Sequence, residues 1–297
     1  LATTFAIGAA MIPALIKAGY PVPFAAALMA TAAELGVIIP PSIPMILYGV
    51  TTQTSIPELF MAGFGPGLLI GAALIATVLV WCRITRWGKN NGEGRLPFLK
   101  AGFALFMPFV VLGGIYGGVT TPTEASVIAV VYAILVGMFL HREIGLRDLY
   151  PILKKSVISS AVIMFIIACA GLFSWLLNRQ GVPDAAAELI VQTFDGPMFY
   201  LLGVNLFLFV VGMFVETSAS IIVLAPILAE AAERLGINQV HFGTVMVVNL
   251  AMGMITPPFG VNLFAAAQVA GTSIDRMMRY LPIFIGVIFA CLMVITY

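Results

Sequence analysis

Apolar residues run through this chain in blocks too long for strands and too continuous for one-sided surface helices. About 20 consecutive apolar residues span the hydrocarbon core of a bilayer, and the stretches 60–82, 124–140, 152–177 and 280–297 meet that length. The stretch 101–118 is shorter and glycine-rich. Two others, 22–53 and 238–270, are long enough to cross, but each is interrupted near its middle by a double proline, Pro40-Pro41 and Pro257-Pro258. A different pattern fills 197–235: two apolar arms, 197–215 and 218–235, around the polar patch Glu216-Thr217-Ser218-Ala219-Ser220. It predicts a re-entrant helical hairpin, tolerated at membrane depth only where protein or water surrounds its tip.

Composition narrows the picture to the membrane. A length of 297 residues would suit two soluble domains, but 61% of the residues are hydrophobic and only 9% charged, against roughly a quarter charged in ordinary globular proteins. Mean hydropathy is +1.10. The expected fold is an all-α polytopic membrane protein. A net charge of +1 without a basic stripe gives no case for nucleic acid. Cys82, Cys169 and Cys291 lie scattered in apolar stretches, with neither metal spacing nor a disulfide framework. The chain starts at Leu1 inside an apolar run, with no signal-like leader, and stops at Tyr297 inside another. We therefore expect a piece of a longer protein that continues before Leu1, with an end at Tyr297 that is open to continuation.

Direction follows from the basic residues. They form four groups: Lys17; Arg83, Arg86, Lys89, Arg95 and Lys100; Arg142, Arg147, Lys154 and Lys155; Arg276 and Arg279. One crossing each for 22–53, 60–82, 101–118, 124–140, 152–177 and 238–270, with 197–235 entering and leaving on one side, puts all four groups on one face. Only Arg179 and Arg234 fall opposite, so the shared face is expected to be cytoplasmic.

The chain also repeats itself. At an offset of 217, Gly19 meets Gly236, Gly36 meets Gly253, and Pro40-Pro41 meets Pro257-Pro258; at 218, Ser55-Ile56 meets Ser273-Ile274. Upstream the match loosens, Pro13 answering Pro226 at 213. Leu1–Ile16 then reads as the returning arm of a first hairpin. By the crossing count the two units enter from opposite sides, an inverted-topology repeat of the kind secondary transporters use. The division expected is 1–57 for first-repeat transport elements, 58–195 for scaffold helices and loops, 196–272 for the second hairpin and broken helix, and 273–297 for a terminal scaffold helix.

Each break exposes carbonyls at the end of one half-helix and N–H groups at the start of the next. Carbonyl oxygens suit a hard cation and half-helix N-termini suit an anion. In Gly253-Met254-Ile255-Thr256-Pro257-Pro258 the glycine is expected to end one half-helix as a left-handed cap, and Thr256 to cap the next, with Pro257 in its first turn. Gly36-Val37-Ile38-Ile39-Pro40-Pro41-Ser42 repeats the plan without the threonine cap. Glu216 offers a carboxylate facing the second break, or alternatively a helix cap; a buried acid in a membrane protein is a functional candidate. Glu34 is a weaker one, because its repeat mate is Ala251. Asn249 and Asn262 flank the second break. Thr121-Pro122-Thr123-Glu124 reads as a capping box, and Ser55-Ile56-Pro57-Glu58 shares its grammar. Gly67–Gly71, Gly113–Gly117 and Gly114–Gly118 read as helix-packing pairs. His141 and His241 form no cluster, and no HExxH, GxSxG or P-loop occurs. Nothing points to an enzyme or to ATP; a gradient is the expected driver.

These motifs resemble a known family. Gly36-Val37-Ile38-Ile39-Pro40-Pro41-Ser42-Ile43-Pro44 with Tyr48-Gly49, Ser55-Ile56, Leu59-Phe60 and Ala62-Gly63 is similar to the first-repeat motif of the large membrane subunit of TRAP transporters (tripartite ATP-independent periplasmic, DctM-like). Thr121-Pro122-Thr123-Glu124-Ala125 resembles its middle motif, and Gly212-Met213-Phe214 with Glu216-Thr217 its second hairpin. His241-Phe242-Gly243, Asn249-Leu250 and Ile255-Thr256-Pro257-Pro258 with Gly260 and Asn262-Leu263-Phe264 match its second repeat. The resemblance covers essentially the whole chain, except that the family's serine-rich first hairpin tip would precede Leu1. It implies an elevator-type, Na⁺-coupled importer in a bacterial inner membrane, without other cofactors. Its expected partners are a periplasmic substrate-binding protein that delivers a carboxylate-bearing solute and a small four-helix membrane subunit, separate or fused. It also implies Na⁺ sites at Gly36, Ile39, Pro40 and Ser42, and at Glu216, Thr217, Gly253, Thr256 and Pro257, with solute between the tips near Ser42, Thr217, Ser218, Pro258 and Asn262. The solutes implied are C4-dicarboxylates, sialic acid and other sugar or keto acids. The alternative is a stand-alone Na⁺/dicarboxylate symporter of the same inverted-repeat plan.

Overall fold

The apolar blocks fold as helices in the computed structural model, which describes residues 2–87, 98–181, 188–189, 193 and 196–297. Lys89 and Arg95, used above for orientation, lie outside the described residues. The chain forms two compact units, Leu1–Gly92 with Leu176–Tyr297, and Glu93–Trp175.

The larger unit contains α1 (Ala2–Lys17), α2 (Val22–Ala32), α3 (Leu35–Ile38), α4 (Ile43–Thr52) and α5 (Ile56–Thr85). The smaller holds α6 (Phe98–Tyr116), α7 (Pro122–Leu135, prolonged by a π-turn over Val136–Leu140) and most of α8 (Leu146–Arg179). The larger unit resumes with α9 (Pro197–Phe214), α10 (Thr217–Arg234), α11 (Gln239–Gly253), α12 (Val261–Ala270), α13 (Ile274–Met277) and α14 (Leu281–Thr296).

Capping chemistry sets several of these ends. Thr121 caps α7 and Glu124 reaches back to the Thr121 N–H at 2.8 Å, completing the capping box read from the sequence. Ser55 accepts from the Glu58 N–H at the start of α5. Among the described residues Ile56–Thr85, Pro122–Leu140 and Pro197–Phe214 are long and apolar enough to cross a membrane. The bent pair Val22–Ile38 and Ile43–Thr52, at 40°, makes a fourth if it is one span. On α5, Leu68, Ile75, Leu79 and Ile84 are exposed, an apolar face that suits lipid rather than water. Gly67 and Gly71 turn toward α3: a Cβ at Gly67 would lie 2.4 Å from Ile39 Cγ1. Gly113 and Gly118, by contrast, have open space beside them, while a Cβ at Gly114 would lie 2.7 Å from Thr120 Oγ1.

The repeat is written into the backbone. Lys17 and Arg234 end α1 and α10, and Val22 and Gln239 begin α2 and α11, both at an offset of 217. Ile43 and Val261 begin α4 and α12, and Thr52 and Ala270 end them, at 218. Gly19 and Gly236 share a left-handed turn, at φ 90° and 75°, and both double prolines carry a cis bond. Packing is reciprocal: α1 lies against α2 and α12, while α10 lies against α11 and α4. Each repeat's arm thus grips the tail half-helix of the other, the pattern a two-fold axis produces.

Candidate functional site

In the first break, Glu34 and Gly36 bond back only three residues, to Thr31 and Ala33 at 3.2 Å each. After α3, Pro40 and Pro41 have no N–H and the ladder stops. Ser42, buried, closes the gap: its hydroxyl donates to the Val37 carbonyl and accepts from the Met45 N–H at 3.4 Å. This break therefore does have a hydroxyl cap, one that the sequence reading did not assign. Pro40 is buried, Ile39 half-buried and Gly36 exposed.

The second break is longer and corrects two expectations. Gly253 is not left-handed; it ends α11 in ordinary helical geometry, and Met254 is the residue that follows as the cap. Its missing side chain serves a close approach instead, since a Cβ there would lie 2.4 Å from the Gly212 backbone. Thr256 does not cap α12. Met254, Ile255 and Thr256 taper off α11 through three-residue bonds of 3.0, 3.3 and 2.9 Å, and the Thr256 hydroxyl donates to the Met252 carbonyl at 2.9 Å. Pro258 disfavours helical backbone at Pro257, so the next helix waits for Gly260, its N-cap at φ 42°.

The hairpin tip is Val215-Glu216. The Glu216 carboxylate accepts from the Ser218 N–H at 2.8 Å, the Ala219 N–H at 3.2 Å and the Ser218 hydroxyl at 3.0 Å, capping α10. Glu216 is exposed and Ser218 half-buried. Thr217 is buried and its hydroxyl donates to Met254 Sδ at 3.0 Å. Phe214 and Phe259 approach with ring centroids 5.8 Å apart. Tip and second break are therefore brought together.

The helices that lead into the two breaks, α3 and α11, also pack on each other. Ile38, ahead of the first, shares one hydrophobic core with Ile255 and Leu263 of the second. Asn262, buried on the first turn of α12, accepts from the Thr4 hydroxyl of α1 at 3.2 Å, facing the first repeat's arm. Pro257 is half-buried and Pro258 exposed. Among the described residues, no hydrogen bond reaches the carbonyls of Ile39, Pro40 and Pro41 or those of Thr256, Pro257 and Pro258, and Gly260 gives α12 no side-chain cap. In lipid such groups cost several kcal/mol each, roughly, unless something satisfies them.

Thr4, Asn205 and Thr296 escaped the sequence reading. Thr4 gave no signal beyond its polarity in an apolar run. Asn249 donates to the Asn205 carbonyl at 2.9 Å and to its Oδ1 at 2.8 Å, and Asn205 donates to Thr296 at 3.1 Å, so α9, α11 and α14 are tied by buried amides. Asn249 Oδ1 and both oxygens of Glu34 are buried without a partner among the described residues. No three His, Cys, Asp or Glu residues gather there as a metal site. A cavity of about 550 Å³ lies away from the breaks, where α4, α10 and α11 meet; Gln53, Glu233 and Gln239 line it.

Residues 1–297 match the family described as "Tripartite ATP-independent periplasmic transporter, DctM component". The whole chain is 40% identical to 47% of the isethionate TRAP transporter permease protein DctMQ of Oleidesulfovibrio alaskensis. It is 37% identical to 70% of the C4-dicarboxylate TRAP transporter large permease protein DctM of Pseudomonas aeruginosa. Over 90% of its length it is 36% identical to 64% of the ectoine TRAP transporter large permease protein TeaC of Halomonas elongata. The chain thus spans about half the length of the first of these relatives and some two thirds of the other two. These relatives are membrane permeases rather than enzymes.

Proposed function

Because the chain belongs to the DctM component family of tripartite ATP-independent periplasmic transporters, we propose that it forms the transport core of a large permease subunit that moves a carboxylate-bearing solute into the cell, driven by Na⁺. The observation that carries this reading is the packing of α3 on α11, which lead into the two breaks, with the hairpin tip held against the second break through Thr217 and Met254; among the described residues the carbonyls at each break accept no hydrogen bond. The donor-free carbonyls of Ile39 to Pro41 and of Thr256 to Pro258 fit Na⁺, a hard cation. Gly36, Ser42, Thr217 and Gly253 supply the close backbone and the hydroxyls beside them. The uncapped start of α12 at Val261, with the Asn262 side chain beside it, fits the solute's carboxylate.

Glu216 has a positioning role in this scheme. Its carboxylate organises the first turn of α10 and so sets where Thr217 and Ser218 present their groups. The reciprocal grip of the two repeats suits an elevator, in which the paired breaks travel as one body. The relatives' names mention isethionate, C4-dicarboxylate and ectoine, in keeping with a small solute bearing an acidic group. The family's description as tripartite and periplasmic supports two partners, a periplasmic binding protein and a small four-helix membrane subunit, at a bacterial inner membrane.

The test is uptake by the full transporter in proteoliposomes with its binding protein, with and without an inward Na⁺ gradient. Uptake that follows the Na⁺ gradient and needs the binding protein is the expected result. Uptake indifferent to Na⁺ defeats the coupling. Uptake without the binding protein would favour the stand-alone symporter.

A further inference from the structure

One carboxylate has no part in that scheme. Glu34 is 1% exposed, and neither of its oxygens has a hydrogen-bond partner among the described residues, nor does it join a salt bridge there. The elements packed on α2 and α3 are α1, α4, α5 and α11 to α14. Their charged or titratable groups stand mostly at their ends: Lys17 closes α1, Glu58 and Arg83 lie in the first and last turns of α5, His241 is near the start of α11, and Asp275 and Arg276 are on α13. Tyr48, in the middle of α4, is bonded to Gln239, and Cys82 of α5 to Tyr20. Cys291 of α14 lies in the hydrophobic core.

Glu34 therefore has no counter-charge among the described residues. Glu34 stands between the two helices, past the Ala33 cap of α2 and immediately before Leu35, where α3 begins. Among the described residues no hydrogen bond reaches the carbonyls of Ile39, Pro40 and Pro41. An ionised carboxylate left unpaired in such a setting is strongly disfavoured, and a small cation relieves carboxylate and carbonyls at once. A further oxygen is at hand, because the Thr3 hydroxyl lies 3.1 Å from where a Cβ on Gly36 would stand. The second repeat is built differently. Ala251 takes the place of Glu34 inside an unbroken α11, and the orphaned oxygen there is the neutral amide Oδ1 of Asn249.

We propose that Glu34 is an anionic ligand of the Na⁺ held at the first break, so that the two cation sites of the repeat differ by one full charge. The proposal rests on the Na⁺-coupled reading above. Its test needs neither solute nor transport: the melting temperature of the purified full-length permease is titrated with NaCl, with choline chloride holding ionic strength constant. Glu34→Gln is expected to weaken the apparent Na⁺ affinity by about tenfold or more, the loss of one charged partner, while melting in choline alone stays at or above the wild-type value. Glu34→Asp, which keeps the charge at shorter reach, is expected to fall between the two and stands in if the glutamine variant does not fold. A Glu34→Gln titration that coincides with wild type overturns the proposal and leaves Glu34 as a buried neutral acid. A wild-type protein that ignores Na⁺ defeats the coupled reading, and this proposal with it.

Discussion

At Gly253 the absence of one carbon lets two helices touch. A Cβ there would meet the Gly212 backbone at 2.4 Å, and backbone cannot swing aside as a flexible side chain can. Gly253→Ala is therefore expected to lower stability by about 1–3 kcal/mol or more, an overpacking cost, read as a drop in melting temperature. Gly65→Ala is the control, because nothing lies within 4 Å of its Cβ position and mid-helix alanine gains roughly 0.5–1 kcal/mol over glycine. The sequence marks Gly253 as a place that needs glycine but misattributes the need to backbone conformation, because its partner lies on another helix. Thr256 misleads for a local reason. A threonine before proline is a good helix start, but here a second proline follows and disfavours the helical turn that the cap would begin.

Among the elements, buried amides do what apolar contact cannot: they fix which helix faces which. Asn205 joins α9 to α11 through Asn249 and to α14 through Thr296. Asn205→Leu leaves the Asn249 amide with only the backbone carbonyl as acceptor and Thr296 without its donor, and is expected to cost about 1–3 kcal/mol. Adding Asn249→Leu should restore part of that loss, and comparing melting temperatures of the single and double variants checks the coupling. Helix limits were largely legible, because residues such as Thr121 and Ser55 act on their own neighbours. Both arms around Glu216 were also legible, since a short polar patch between two apolar runs leaves few alternatives. The capping role of Ser42 was missed because its hydroxyl serves two half-helices at once. Tertiary amide pairs were not legible, because an asparagine in an apolar run does not name its partner.

For the whole molecule, the repeat predicts sidedness. Lys17 and Arg234 end equivalent helices, so inverted units must place them on opposite faces of the membrane. Arg234→Cys in an otherwise cysteine-free protein should react with a membrane-impermeant maleimide on intact cells, and Lys17→Cys only after permeabilisation; labelling of both from one side would defeat the inversion. The offsets of 217 and 218 were readable because turns and helix ends depend on glycine, proline and serine, which keep their places. The exchange of contacts between repeats was not, since it lies in which surface meets which. That exchange has a consequence for ancestry. When α1 rests on α12 as well as on α2, and α10 on α4 as well as on α11, a lone copy of the unit would leave one side of each limb uncovered, so a one-copy forerunner would gain that cover by pairing with a second copy, and gene fusion would tie together partners that already leaned on each other.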